Sequence, residues 1–176
     1  MKAINAIVDK MGGGNVAVGF MEGALYPDGT PVAAAAFWAE YGKPNQPPRP
    51  FFRTMIAKES PGWGAKIARQ AKGTNYDGPR VLALMGDDIG GALIESIRSP
   101  DWAPLSPVTL MLRKMVGNKP ENITGAMVGE AAAKVAAGEE GATGTQAKPL
   151  EWTGTMVRAV HYQVNDGEQV PVLKGQ

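Results

Sequence analysis

The chain has 176 residues, 44% of them hydrophobic, and 18 basic against 17 acidic side chains leave a net charge of +1. That length and apolar content predict one buried core of ordinary domain size, and the near-neutral balance excludes a strong field for gripping nucleic acid. With no cysteine and a single histidine, His161, there is no disulfide, no thiolate metal site and no histidine cluster.

The opening MKAINAIVDKMGGG is too polar for a signal peptide, and no run approaches the roughly 20 apolar residues that cross a bilayer. The 23 glycines and 14 prolines predict many turns and extended connectors rather than a compact helical bundle. Ala3, Ile4, Ile7, Val8 and Met11 fall at helical spacing, so a short amphipathic helix is predicted over 2–11, stopped by Gly12, Gly13 and Gly14. Asn15 to Phe20 reads as a half-buried strand with Val16, Val18 and Phe20 on one face. Tyr26-Pro-Asp-Gly-Thr30 carries the residues of a tight turn. Thr30 is then expected to cap a helix with Pro31 at its first position, Ala34, Trp38 and Tyr41 on one face, and Gly42 at its end.

Four prolines between Lys43 and Pro50 remove backbone donors and bias their neighbours to extended conformations, which predicts a stiff surface strut. Phe51, Phe52, Met55 and Ile56 open a second helix, and Ile67, Ala68 and Ala71 continue its helical spacing after Pro61-Gly62-Trp63. The stripe Leu82, Met85, Ile89, Leu93, Ser96 and Ile97 predicts a third helix from about Pro79 to Arg98. Ser106 and Pro107 start a shorter one through Lys114. Residues 117–148 turn to Ala, Gly and small polar types, with a weakly amphipathic helix over 123–137; this stretch is expected to be an insertion, partly ordered only in an assembly. Thr155 to Val164 reads as a strand with Met156, Val160, Tyr162 and Val164 on one face, and Asp166-Gly167 as a hairpin turn into Gln169–Leu173. The sum is an α+β domain spanning 1–176: a small antiparallel sheet packed with several helices, a Pro-rich connector and an Ala/Gly-rich insertion.

Candidate chemistry is sparse. Gly12 to Ala17 matches a G-x-G-x-x-A dinucleotide fingerprint, but that motif needs a strand before it and a helix after it, and here the order is inverted. Asp87 and Asp88 point about 100° apart on a helix, and Glu95 is not spaced to complete a metal site with them. His161 sits among strand residues without a nucleophile signature nearby. No catalytic, cofactor or metal residues are therefore assigned, and an enzyme is not expected. Asn122-Ile123-Thr124 matches a glycosylation acceptor, which matters only on a secretory route. Arginines flanking bulky aromatics are instead the composition of interface anchors, so Trp38, Tyr41, Pro48, Arg49, Pro50, Phe51, Phe52 and Arg53 are the candidate contact residues for a neighbouring subunit or partner. The alternative for both phenylalanines is the core. Trp152, in Leu150-Glu-Trp-Thr153-Gly154, is expected in the core.

One combination goes further. A strand ending at Phe20, the turn Tyr26-Pro-Asp-Gly-Thr30, a helix closing on Trp38-x-Glu40-Tyr41-Gly42, and then Pro47-x-Arg49-Pro50-Phe51-Phe52-Arg53 resemble the start of the tail-completion, or neck, proteins of long-tailed bacteriophages. PLSPVTLMLRK at Pro104–Lys114 and KPLEWTGTMVRAVHYQV at Lys148–Val164 are similar to later parts of the same family, with a gap over 117–148. The resemblance implies a virion structural protein at the top of the tail, made in the host cytoplasm. It further implies a ring, of six subunits in related necks, around the channel for DNA. Its partners would be further copies of itself, a head-side connector or stopper, and a tail terminator or tube protein, with DNA passing without specific binding. A tail terminator is the alternative within the same class; a small nucleotide-binding enzyme or a regulatory binding module lies outside it.

Overall fold

In the computed structural model, residues 2–44 and 46–172 are described. Asn45 in the proline-rich connector and Leu173 at the end of the last expected strand lie outside them, as do the side chains of Ala3, Ile4 and Val8. The architecture is α+β, with seven α-helices and a three-stranded antiparallel sheet among the described residues. The chain divides into two compact units, each assembled from separate stretches of sequence.

The sheet unit comprises Met1–Glu22, Pro50–Ser96 and Arg158–Gln176. It contains α1 (Lys2–Met11), β1 (Val16–Phe20), α3 (Phe51–Gly73), nearly all of α4 (Gly78–Arg98), β2 (Val160–Val164) and β3 (Gln169–Pro171). The strands run β1-β2-β3, with Val16 opposite Val164, Phe20 opposite Val160 and His161 opposite Pro171. The β2–β3 hairpin turns through Asn165 at φ 51°, a left-handed conformation that Asn tolerates better than most residues. Its Oδ1 also accepts the Asn15 N–H at 3.0 Å, tying the turn to the start of β1.

Two glycines let α4 lie close on the strands. A Cβ on Gly86 would stand 2.5 Å from the Tyr162 ring, and one on Gly90 2.3 Å from Val172 Cγ2. Phe51, Met55, Val81, Met85, Leu93, Val160 and Val172 fill the core. Phe51 is 1% exposed and meets Phe20 edge-on at 6.2 Å between ring centroids. The helix that continues past Pro61-Gly62 in the sequence pattern is found: α3 runs unbroken from Phe51 to Gly73. Pro61 and Ala57, whose carbonyl loses its partner to the proline, are both exposed, so water can satisfy the orphaned group.

The helical unit comprises Gly23–Arg49 and Ile97–Val157. It holds α2 (Val32–Tyr41), α5 (Pro107–Val116), α6 (Gly125–Ala136), 3₁₀ turns at Pro120–Asn122 and Gly144–Ala147, and most of α7 (Thr155–Arg158). Ser106 caps α5 as its sequence predicts, accepting the Thr109 N–H at 3.2 Å. Thr30 does not cap α2. The cap position falls one residue later, on Pro31, whose side chain has no oxygen to offer, while Asp28 Oδ1 takes the Thr30 N–H at 2.9 Å and builds the turn.

The stretch 117–148, expected as a partly ordered insertion, is integral to this unit's packing. α6 lies against α5, Ala131 is fully buried, and Ala142 N–H bonds the Leu110 carbonyl at 2.9 Å. The strand expected from Thr155 begins only at Val160. Thr153 Oγ1 accepts the Thr155 N–H at 3.3 Å and shares a hydrogen bond with its hydroxyl at 2.7 Å, a local bonding pattern that starts a helical turn instead.

Candidate functional site

Two features of the helical unit stand out from a packed scaffold: an aromatic helix face and a buried pair of arginines. The first is α2, whose sequence VAAAAFWAEY is apolar nearly all round. Val32, Ala36 and Ala39 are buried by small side chains, which leaves the large ones outside: Phe37 is 59% exposed, Trp38 42% and Tyr41 56%. Phe37 and Tyr41, one helical turn apart, stack at 4.7 Å between centroids. The Lys43 ammonium stands 5.2 Å over the Trp38 ring. Exposed large aromatics grouped on one short helix make this surface a candidate for contact with another protein.

The connector after α2 is not a straight strut. Lys43 and Gln46 exchange backbone hydrogen bonds at 3.2 and 2.8 Å, and the Arg49 N–H returns to the Ala39 carbonyl at 2.7 Å. The segment therefore doubles back along the end of α2.

The eight candidate contact residues consequently separate. In the helical unit, Trp38, Tyr41 and Pro48 are exposed, whereas Arg49 is 4% exposed and faces inward. In the sheet unit, Phe51 is a core residue whose carbonyl accepts the Ser96 hydroxyl at 2.7 Å. Pro50 and Phe52 are half-buried, Phe52 packing on Phe51 at 6.2 Å between centroids, and Arg53 is exposed. Burial in the chain thus removes Arg49 and Phe51 from the surface that an anchor would need. Phe37, absent from the candidates, belongs with Trp38 and Tyr41; its i, i+4 spacing to Tyr41 was the available signal.

The second feature centres on Arg113 of α5, 6% exposed. Its Nη1 donates to the Gln146 and Lys148 carbonyls at 2.7 and 2.8 Å, and Nη2 reaches the Pro149 carbonyl at 3.3 Å. The guanidinium carbon lies 4.7 Å from the Trp152 ring centroid, and the indole N–H of Trp152 bonds the Gly117 carbonyl at 2.8 Å, closing the C-terminus of α5. Arg113 thus pins the loop 146–149 to α5. Arg49 donates from Nε to the Ala103 carbonyl at 3.1 Å. Burial lowers the proton affinity of both groups; burial, and then the charge of Arg49, brings Arg113 down to about 10, which still leaves it a cation at neutral pH. A hollow of about 250 Å³ lies on the Trp152 side, with Tyr26, Asp28 and Leu150 among its walls. The signal in the sequence was one charge inside the apolar run Leu110-Met-Leu-Arg113, which periodicity alone does not assign to the interior.

The other sequence candidates stay apart. Gly12 to Gly14 link α1 to β1, a helix-to-strand turn. Asp88 accepts the Gln70 side-chain N–H at 2.8 Å on α4. His161 Nδ1 lies 3.1 Å from the Ala159 carbonyl on half-buried β2. Among the described residues, no three His, Cys, Asp or Glu side chains gather at metal-binding distances, and no helix is long and apolar enough to cross a membrane. No family model, no curated protein and no solved structure matches this chain.

Proposed function

We propose that this chain is a structural protein of the bacteriophage neck, which completes the top of the tail and joins it to the head-side connector as a ring of identical subunits. The single observation that supports it most is the exposed Phe37, Trp38 and Tyr41 cluster on α2, carried by the same W-x-E-Y-G segment on which the neck resemblance rests. Aromatic side chains held on a short helix lose little freedom on docking, so they suit contacts between subunits better than long flexible ones. In this reading the protein acts by packing, with no reaction of its own. Its near-neutral charge suits a channel through which DNA slides without being held. The ring partners would be copies of this chain, and its outer faces would meet the stopper on one side and the terminator or tube on the other.

Two measurements test this. Electron microscopy of the purified protein, alone and with its neighbouring neck proteins, should show closed rings. Trp38→Ala combined with Phe37→Ser should abolish them while the monomer's melting temperature stays within about 4 °C, the effect of roughly 1 kcal/mol. A phage lacking the gene should accumulate filled heads beside unattached tails. Tails of uncontrolled length in that phage would assign the chain to the terminator ring instead, and normal particles would end the neck reading.

A further inference from the structure

A second hollow of the helical unit, about 590 Å³, opens beside the N-terminus of α5. Gln46, Arg49, Ser106, Thr109 and Arg113 contribute polar groups to its wall, and no Asp or Glu lines it. Both arginines are more than nine-tenths buried, and among the described residues neither pairs with a carboxylate. Two like charges held this way are costly unless an anion compensates them. Their donors are also incompletely used. The Nε of Arg113 is buried with no hydrogen-bond partner, and Arg49 engages only its Nε, leaving its terminal nitrogens without a partner among the described residues. The Ser106 and Thr109 hydroxyls lie 2.9 Å apart, so one O–H bridges them and the other remains available to donate. The positive end of the α5 dipole adds to the same field.

We propose that this hollow is a carboxylate-binding site, in which Arg49 and the Ser106–Thr109 hydroxyl pair donate to the carboxylate oxygens and Arg113 supplies a second positive charge. The terminal nitrogens of Arg49 form the planar fork that matches a carboxylate edge. Pro47, Pro104 and Leu105 line the same hollow and suit the methylenes behind such a group. Guanidiniums this deep are reached by a slim acidic side chain or a small carboxylic acid. A phosphate fixed on the outside of a nucleic-acid duplex does not reach them.

Calorimetric titration of the full chain with acetate, glutarate and inorganic phosphate at matched ionic strength tests the site. Glutarate should bind saturably, and Arg49→Gln should weaken it by about tenfold or more, whereas Arg49→Lys should lose less. Arg113 is left intact because it holds the 146–149 loop. A measurement on the unaltered protein stands beside the variants: glutarate should slow modification of Arg49 by phenylglyoxal, read by peptide mass spectrometry. An acetylated peptide with one glutamate between prolines separates the two sources. Tighter binding than glutarate assigns the site to an acidic segment of a protein, and weaker binding assigns it to a free acid. No saturable carboxylate binding, equal affinity in Arg49→Gln, or phosphate binding tighter than any carboxylate would overturn the proposal.

Discussion

The two units reach a packed interior by opposite means. In the sheet unit, α4 lies on the strands over Gly86 and Gly90, and Phe51 fills the space among Phe20, Phe52 and the helices, so apolar contact and close approach hold it together. In the helical unit the central residue is a cation. Arg113 replaces missing secondary structure by bonding the carbonyls of Gln146, Lys148 and Pro149, a stretch that has no strand to join. The difference follows from composition: residues 137–154 have few large apolar side chains, so a long side chain with several donors does the work that a hydrophobic layer does elsewhere. A guanidinium clamp is more specific than an apolar layer and less tolerant, since removing it strands every carbonyl it served.

The largest expected effect breaks the apolar side. Phe51→Ala should cost about 3–5 kcal/mol, read by chemical denaturation, because it empties a 1%-exposed site between aromatic neighbours. Hydrogen exchange should then rise first in β1, β2 and α4. A cost below about 1 kcal/mol would mean that Phe51 is not a core residue. Arg113→Met keeps the length of the side chain and removes its donors, and it should cost about 2–4 kcal/mol with faster exchange in 144–150 and α6. Exchange rising in β2 before the 144–150 loop would contradict the division of labour. Shortening 118–146 to a brief linker should likewise unfold the helical unit, because Ala131, Ala142 and the carbonyls of Gln146 to Pro149 belong to its packing.

A smaller effect tests the close approach. Gly90→Ala should cost about 1–3 kcal/mol, since its Cβ would stand 2.3 Å from Val172 Cγ2 and the strand must shift. Pairing it with Val172→Ala should recover part of the loss. Trp152→Phe keeps a ring beside Arg113 and deletes the bond to the Gly117 carbonyl, for about 1 kcal/mol. The smallest effect lies in the turn before α2. The Thr30 N–H, and then its hydroxyl, hold the Asp28 carboxyl below its ordinary 3.8. This lowered value means the contribution is present above pH 3.8 and is lost as pH falls through the folded midpoint. In an NMR titration, Thr30→Val should raise the Asp28 midpoint only part of the way, because the backbone donor remains.

The sequence alone determined most element positions, because they rest on local periodicity and punctuation. Residues 2–11, the strand to Phe20, the long stripe before Arg98, the Ser106–Pro107 start of α5 and the Asp166-Gly167 hairpin all follow from spacing and turn chemistry, and all are found within a residue or two. It misread the sites where a local rule met tertiary context. Thr155, expected to open a strand, begins a helical turn because a neighbouring hydroxyl takes its N–H. The candidate site was legible only in part. Trp38 and Tyr41 were visible as surface aromatics through helical spacing, but nothing local distinguishes them from Phe51, whose burial is set by β1 and α4 arriving from distant sequence. The arginine pair was invisible for the same reason. Arg49 and Arg113 are 64 residues apart, and only the folded helical unit brings the charge of Arg49 to bear on Arg113. Packing that joins separate stretches of chain was decided by the tertiary structure, since no periodicity within one stretch encodes which other stretch will cover it.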